Sequence, residues 1–222
     1  MRPFGQVLPM RQALPDRMAG EAIGLANACE RVFSAVVLLA IVPGLIVVAF
    51  VITILSRRSP LIRHARVGRY GTPLPLLKFR TMWSGGGNPA HLRLTEDVDG
   101  VIPEAKTVAD PRVSSRFARL CRRHSVDELP QLWHVVRGEM SLVGPRPITA
   151  VELAEYYGEA ASQILSVRPG LAGLWQVMGR NRLSYCQRRR LDLFLVRHAS
   201  SGLYLRILAK TLPAVLTGRD AY

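Results

Sequence analysis

The feature that most constrains this chain is a stretch of 24 residues without a charged side chain, VFSAVVLLAIVPGLIVVAFVITIL, from Val32 to Leu55. At about 1.5 Å per residue, a helix of this length is long enough to cross a hydrocarbon core of about 30 Å. The stretch begins too far along the chain, and is too long, for the apolar part of a cleavable signal peptide. We therefore expect a membrane-embedded helix, preceded by a flexible or weakly helical lead-in over residues 1–30.

Pro43 and Gly44 lie almost at the centre of this stretch. Proline removes a backbone N–H and clashes with the preceding turn, so it kinks or breaks a helix. A spanning helix normally has its basic end on the cytoplasmic side, but here arginines lie before and, more densely, after the stretch: Arg31, then Arg57, Arg58, Arg63, Arg66 and Arg69. Two interpretations stay open. One is a kinked spanning helix, and the other is a re-entrant helix over residues 31–56, broken at Val42-Pro43, which enters and leaves by one face.

The chain is strongly basic as well as apolar. Its 222 residues include 30 Lys and Arg against 16 Asp and Glu, a net charge of +14, and 49% of them are hydrophobic. Such a charge favours a polyanionic partner: nucleic acid, anionic lipid headgroups or a phosphorylated substrate. A nucleic-acid binder is seldom both so basic and so apolar, so we expect a membrane protein with a cytoplasmic face and no nucleic-acid partner. The three cysteines, far apart and in no CxxC motif, indicate neither disulfides nor a zinc site.

Residues 57–222 have the pattern of one domain that mixes helices with short strands. PLPLLKFRTM fits a strand, and GEMSLVGPRPI fits a loop, a short strand and a proline-locked turn. Residues 112–137 fit a helix with Ser125 as N-cap and Glu128 as its capping-box partner, after a long loop rich in Gly, Pro and acids. Residues 149–165 and the tail 186–216, broken near Pro213, also fit helices. The expected fold class is therefore α/β, in its helix-rich α+β form.

Two adjacent carboxylates, Asp127 and Glu128, are the first candidates for chemistry. Neighbours on a helix point about 100° apart, so one can face a reacting phosphorus while the other holds a metal ion. A carboxylate that attacks a phosphate needs cations to offset the repulsion, and arginines are at hand on both sides: Arg112, Arg116, Arg119, Arg122, Arg123 and Arg146. Alternatively, Glu128 only closes a capping box and Asp127 only pairs with an arginine. The dipeptide alone is a weak signal.

Three further segments carry polar side chains suited to a ligand. GPRP fixes Arg146 between two prolines, which holds its guanidinium at low entropic cost. KFRTM could place Lys78 and Arg80 on one face of a strand, because they are two residues apart. The Gly-rich RPGLAGLWQVMGRN contributes four more candidates: Arg168, Gln176, Arg180 and Asn181. The structural alternatives are a tight turn, a solvated basic edge and an ordinary β-hairpin. No P-loop, GxGxxG, HExxH or GxSxG motif is present.

Taken in order, KFRTM, DPRVSSRFARLCRRHSVDELPQLWHVVRGEMSLVGPRP, RPGLAGLWQVMGRN and LDLFLV resemble the bacterial sugar transferases, the monotopic phosphoglycosyl transferases. The resemblance covers roughly residues 30–222. With ITAVELAEYYGEAA and LAKTLPAVLTGRDAY, the chain is most similar to short members that start exopolysaccharide synthesis by transferring galactose or glucose phosphate. The family implies a re-entrant membrane helix, amphipathic C-terminal helices at the membrane surface, and a catalytic domain on the cytoplasmic face of the bacterial inner membrane.

The resemblance also implies a mechanism. Asp127 would attack the sugar-bearing β-phosphorus of a UDP-sugar and release UMP, and undecaprenyl phosphate would then capture the covalent phosphosugar. Glu128, together with Asp127, would hold Mg²⁺. Four residues at family motif positions would bind phosphates or the nucleotide: Lys78, Arg80, Arg122 and Arg146. The hexose and the oligomeric state, a homodimer included, stay open.

The chain departs from the family pattern at three positions. Val42 replaces the usual serine before the proline, Ser34 stands where an aspartate is common, and Tyr204 lies where the tail usually carries an acid. These departures concern the membrane geometry and the packing of the tail. Two rival functions remain: a basic membrane adaptor without catalysis, and a membrane-bound hydrolase that splits nucleotide sugars with water.

Overall fold

The whole apolar stretch forms part of one helix, α1, over Arg17–Ser56. The computed structural model describes residues 17–82, 113, 115–179 and 182–218, and side chains from residue 26 onward. α1 begins inside the segment assigned to a lead-in, and it continues through Pro43, where the sequence predicts a break. Proline removes only one N–H from the hydrogen-bond ladder, and an apolar surrounding favours keeping every other backbone bond within the helix.

α1 presents an apolar surface to its surroundings. Its Ala26–Ser56 part is the one helix of the described chain that is long and apolar enough to cross a membrane. Leu39 is 73% exposed and Phe50 is 65% exposed. A run of exposed large apolar side chains of this length is unfavourable in water and favourable in lipid, in agreement with the predicted membrane-embedded helix.

Two sheets of two strands each follow α1. β1 (Leu61–Val67) and β2 (Pro73–Phe79) pair antiparallel. β3 (Ser141–Val143) and β4 (Gly170–Ala172) pair in parallel. The strands predicted in PLPLLKFRTM and GEMSLVGPRPI are confirmed as β2 and β3.

The segment around the two carboxylates is not the single helix that the sequence predicts. It divides into α2 (Arg116–Arg123), a 3₁₀ helix (Val126–Gln131) and α3 (Leu132–Val136). The division occurs because Ser125 takes a left-handed conformation, φ 54°. The predicted capping box is therefore wrong: the Ser125 side chain caps nothing, and its backbone carbonyl accepts from the Glu128 N–H at 3.0 Å.

The C-terminal part consists of short helices followed by two longer ones. In chain order they are α4 (Ala150–Glu152), a π-helical turn (Leu153–Tyr157), α5 (Ala160–Ile164), α6 (Leu174–Met178), α7 (Tyr185–Arg197) and α8 (Ser201–Thr217). The tail breaks between α7 and α8, where Ser200 caps α8, and Pro213 lies inside α8. The predicted break near Pro213 is wrong. The tail is interrupted earlier, where the Ser200 side chain caps the start of α8.

The main apolar core joins α1 to the domain. Buried residues of β2, α3 and β3 form it, and Val37, Leu38 and Ile41 of α1 pack against it. α8 covers a neighbouring cluster with Ile207, while Leu205 and Leu212 on the same helix stay 64% exposed. α8 thus packs Ile207 against the domain and exposes other apolar side chains; the amphipathic character expected of the tail stays a prediction.

Three polar side chains near the start of α1 also bind the domain, and we call Asn27, Glu30 and Arg31 the α1 latch. Asn27 accepts from the Arg168 guanidinium. Glu30 accepts from the Leu142 backbone N–H and, at 2.6 Å, from the Tyr204 hydroxyl. Arg31 Nε donates to the Val136 carbonyl at 2.8 Å. The latch fixes the beginning of the membrane helix to α3, β3 and α8.

Candidate active site

A cavity of about 430 Å³ lies beside the adjacent carboxylates. The 3₁₀ helix and β2 supply one wall, α6 and α7 supply another, and the turn after β3 contributes Arg146. α8 adds Leu208, Thr211 and Val215. The volume lies in the range typical of small-molecule sites.

The first wall is a cluster of opposite charges, and we call Lys78, Asp127 and Glu128 the carboxylate wall. Lys78 Nζ lies 2.8 Å from Asp127 Oδ2 and 3.4 Å from Glu128 Oε1. Asp127 is only 3% exposed. A buried carboxylate is costly unless a cation compensates it. Lys78 therefore compensates the charge of the buried Asp127 in the cavity lining.

A buried histidine links β2, which carries Lys78, to the helix that follows the carboxylates. His134 Nε2 accepts from the Leu77 backbone N–H at 3.0 Å, which places the ring proton on Nδ1. Nδ1 in turn lies 2.6 Å from Glu139 Oε2, which accepts the hydrogen bond from Nδ1–H. His134 thus ties α3 to β2 one residue before Lys78.

Arg146 connects the carboxylate wall with the turn after β3. Its Nη2 donates to Glu128 Oε1 at 2.9 Å, and this carboxylate is the main cause of a raised Arg146 pKa. The turn is tight because β3 and β4 meet at two glycines. A Cβ on Gly170 would lie 2.0 Å from the Gly144 backbone nitrogen. Any side chain there would displace the turn and Arg146 with it.

A buried acid lies beneath the same turn. Asp192 on α7 is fully buried and accepts from the Tyr157 hydroxyl at 3.3 Å. Burial raises its pKa to about 7, while Tyr157, Arg146 and Trp175 lower it by smaller amounts. Asp192 Oδ1 and Trp175 Nε1 nevertheless make no hydrogen bond of standard geometry. The attraction between them therefore offsets only part of the cost of burial.

The second wall combines rings with an arginine, and we call Trp175, Tyr185 and Arg188 the aromatic wall. The Arg188 guanidinium carbon lies 4.6 Å from the Trp175 ring centroid and 5.2 Å from the Tyr185 centroid. Tyr185 stacks in turn on Tyr156, with centroids 4.1 Å apart. Cation–π contacts and ring stacking thus support this side of the cavity.

An ion pair completes the lining. Arg66 Nη1 lies 3.2 Å from Glu152 Oε2. The same Glu152 oxygen accepts from the Thr149 N–H at 2.7 Å and closes a capping box at the start of α4. Glu152 Oε1 accepts from the Tyr185 hydroxyl at 3.5 Å. Glu152 therefore has a structural role in addition to lining the cavity.

The structure brings six of the sequence-predicted residues to the cavity: Lys78, Arg122, Asp127, Glu128, Arg146 and Gln176. Arg122 Nε is buried without a hydrogen-bond partner among the described residues. Arg80 is elsewhere, one residue beyond β2, where its Nε donates to the Ser59 carbonyl. Arg168 belongs to the latch contacts of α1. Three predicted residues, Arg112, Arg180 and Asn181, lie outside the described residues.

Sequence reasoning missed six charged or aromatic residues of the lining: Arg66, Glu152, Tyr157, Trp175, Tyr185 and Arg188. Arg66 and Arg188 stood in arginine-rich stretches that indicated only a positive surface. Glu152 carried the Thr-x-x-Glu signature of a capping box, which gives no sign of a cavity. Only the packing of α7 against α6 brings Arg188 and Trp175 together.

Comparison with known proteins identifies the family. The family model for bacterial sugar transferases matches residues 23–218. The chain belongs to the bacterial sugar transferase family. It is an enzyme of the transferase class, so the adaptor hypothesis is wrong.

Three relatives show how far the similarity extends. The chain is 43% identical to the exopolysaccharide production protein ExoY of Rhizobium meliloti, over 72% of this chain and 71% of the relative. It is 39% identical to a UDP-galactose-lipid carrier transferase of Erwinia amylovora, over 82% of this chain but 38% of that protein. It is 35% identical to a UDP-glucose:undecaprenyl-phosphate glucose-1-phosphate transferase of Caulobacter vibrioides, over 99% of this chain and 80% of the relative.

The carboxylate wall offers few ligands for a metal ion. Among the described residues, no group of three or more His, Cys, Asp or Glu side chains could hold one. Asp127 and Glu128 supply two carboxylates. Protein sites for Mg²⁺ commonly use one or two carboxylates and leave the other positions to water and substrate phosphates. The pair therefore fits Mg²⁺ and does not fit zinc, which takes three or four protein ligands.

Proposed function

We propose that the chain transfers a hexosyl phosphate, of the galactose or glucose type, from a UDP-sugar to undecaprenyl phosphate and releases UMP. The observation that carries the proposal is Asp127, a buried carboxylate that lines a cavity and lies 2.8 Å from a lysine. The names of the relatives, which include UDP-galactose, UDP-glucose and undecaprenyl phosphate, support the substrates.

Asp127 is the proposed nucleophile. One of its carboxylate oxygens forms a bond to the sugar-bearing phosphorus, and the bond from that phosphorus to the oxygen of the departing UMP breaks. An oxygen of the lipid phosphate then attacks the same phosphorus, and the aspartyl bond breaks, which restores Asp127. Lys78 holds the carboxylate in place and reduces its repulsion of the incoming phosphate.

Glu128 and Asp127 are the proposed Mg²⁺ ligands. The ion would supply positive charge that offsets the negative charge of the diphosphate. Arg146 positions Glu128 through the 2.9 Å contact and adds a fixed cation beside it. The unpartnered Arg122 Nε supports a phosphate-binding role for Arg122.

We also propose that α1 is re-entrant and that the catalytic region lies on the cytoplasmic face of the inner membrane. The domain lies at both ends of the apolar stretch: Arg31, one residue before it, bonds Val136, and the domain itself follows directly after α1, where Ser59 accepts from Arg80. Ser34 and Ile52, equally far from Pro43 in sequence, are both fully buried. A straight spanning helix would separate its two ends by the thickness of the bilayer.

The function is tested by UMP release from a panel of UDP-sugars with Mg²⁺, with and without undecaprenyl phosphate. We expect sustained release only when the lipid phosphate is present, with UDP-galactose or UDP-glucose as the best donor. Equal release without lipid would instead identify a hydrolase. No release from any UDP-sugar would overturn the proposal.

The topology is tested by protease digestion of tags at both termini in inside-out vesicles. A re-entrant α1 leaves the two tags on one face, so both should be digested. Protection of the N-terminal tag alone would show a spanning helix.

A further inference from the structure

Arg188 is held more rigidly than an ordinary surface arginine. Its guanidinium lies against Trp175 at 4.6 Å and Tyr185 at 5.2 Å, and its Nε donates to the Leu183 carbonyl at 3.0 Å. These contacts engage the faces of the planar group and one of its N–H donors. An arginine held in this way loses little entropy when it binds a ligand.

Arg188 forms no ion pair with the described residues: no carboxylate oxygen among them lies within 4.0 Å of its guanidinium, whereas Arg66 and Arg146 each contact a glutamate. Burial is the main cause of a lowered Arg188 pKa; the charge of Arg146 lowers it too, while Tyr185 and Glu152 raise it. Within the described part of the chain, Arg188 is thus a partly desolvated cation of the cavity lining without a salt bridge.

Arg188 and Arg146 share one aromatic ring. The Arg146 guanidinium carbon lies 5.8 Å from the Trp175 centroid, and Arg188 lies 4.6 Å from it. Two like charges near one indole repel each other, and a bound anion would relieve that repulsion. Among the described residues, Arg146 forms its salt bridge with Glu128 of the carboxylate wall.

The charges of the described lining are predominantly positive. Its three carboxylates each contact a cation already, through Lys78, Arg146 or Arg66. The described lining has five cations against those three acids: Arg66, Lys78, Arg122, Arg146 and Arg188. This excess of positive charge favours an anionic ligand.

We propose that Arg188, beside Arg146 and over Trp175, forms a phosphate-binding site separate from the carboxylate wall. This inference rests on the proposed transferase function, which brings two phosphate-bearing molecules to one cavity. The ligand is a phosphate group that is not under attack by Asp127. It belongs either to the departing nucleotide or to the lipid acceptor, and both would be bound through the same bidentate guanidinium contact.

The test compares Arg188→Met and Arg188→Lys with Arg190→Met. Arg190 is exposed on the same helix and does not line the cavity, so it controls for the loss of one positive charge. Three quantities separate the phosphate sources: the KM for the UDP-sugar, the inhibition constant of UMP, and the KM for undecaprenyl phosphate. Isothermal titration of UMP, and separately of inorganic pyrophosphate, measures binding even if no transfer occurs.

We expect Arg188→Met to weaken phosphate binding by about tenfold or more, as the loss of a charge-assisted hydrogen bond does. An increase in the UMP constant and the donor KM would assign the site to the nucleotide phosphate. An increase confined to the acceptor KM would assign it to the lipid phosphate. Arg188→Lys should bind with intermediate affinity, because it keeps the charge but loses the planar fork.

The inference is overturned if all three constants and the titrated affinities of both Arg188 variants stay within about twofold of those of Arg190→Met. Arg188→Lys keeps the test valid if Arg188→Met fails to fold. If the wild-type protein transfers no sugar phosphate, the proposed function fails. The pyrophosphate titration then still decides whether Arg188 binds phosphate.

Discussion

The two walls of the cavity are built on different principles. In the carboxylate wall, the charges proposed for catalysis also hold one another in place, through Lys78, Asp127 and Glu128. In the aromatic wall, two rings hold the Arg188 guanidinium, which can still bind a ligand. The comparison implies that substitutions in the first wall change stability and chemistry together. Substitutions in the aromatic wall should change stability or chemistry separately.

The largest expected effect follows from removing the nucleophile. Asp127→Asn should reduce sugar-phosphate transfer by about 10³-fold or more, since an amide cannot form the covalent intermediate. Transfer of radiolabelled sugar phosphate to undecaprenyl phosphate measures the loss. Glu155→Gln, at an exposed acid outside the cavity, is the matched control. A variant that keeps more than about a tenth of the wild-type rate would exclude Asp127 as the nucleophile.

The next effect tests whether charge holds the carboxylate wall together. Lys78→Met leaves the buried Asp127 without its cation and should reduce the free energy of unfolding by roughly 3–5 kcal/mol. Arg66→Met is a fitting comparison, because its ion pair with Glu152 is more exposed and should contribute about 1 kcal/mol or less. Thermal melting in detergent ranks the two variants. Equal losses would show that the first wall does not depend on its charges.

The acid beneath the two walls predicts a pH dependence. Asp192 has a folded pKa of about 7 against an ordinary 3.8, so between these values the folded state retains a proton that the unfolded state releases. Stability should therefore fall as pH rises through this window, by on the order of 1 kcal/mol per unit.

Asp192→Asn cannot ionise and should remove that contribution. The melting temperature of the variant, measured from pH 5 to pH 7, should decline less than that of the wild-type protein. Parallel curves for the two proteins would mean that Asp192 does not gain this proton on folding.

The smallest effect concerns the aromatic wall. Tyr185→Phe removes a hydroxyl that lies 3.5 Å from Glu152 but keeps the stacking on Tyr156 and the cation–π contact with Arg188. The stability loss should therefore stay below about 0.5 kcal/mol. Tyr185→Leu also removes the rings' contacts and should cost about 1 kcal/mol more. Melting temperatures again provide the measurement. If the two variants lose the same stability, the hydroxyl supports the wall and the ring does not.

Features set by neighbouring residues could be predicted from the sequence. The alternation in PLPLLKF predicts β2 and places Lys78, and the adjacent Asp127 and Glu128 stand out as a pair. The prediction that Arg80 shares a strand face with Lys78 fails because β2 ends at Phe79, and period-two alternation applies only within a strand.

Features set by distant residues could not be predicted. Arg188 reaches the cavity only because α7 packs on α6, and Arg168 turns away because the start of α1 lies beside it. The left-handed Ser125, which divides the predicted helix, has a residue type that is common at caps and gives no sign of positive φ. Tertiary contacts decided the two arginine cases.

The α1 latch has a consequence for how the enzyme meets its membrane. Because Asn27, Glu30 and Arg31 bond directly to the domain, the proposed insertion of α1 would let protein geometry, and not the lipid, set the height of Asp127 above the hydrocarbon boundary. A thicker or thinner bilayer would tilt or submerge the enzyme as one rigid body. Only the headgroup of an acceptor has to arrive at that height. The length of its hydrocarbon tail should therefore matter little to the chemical step.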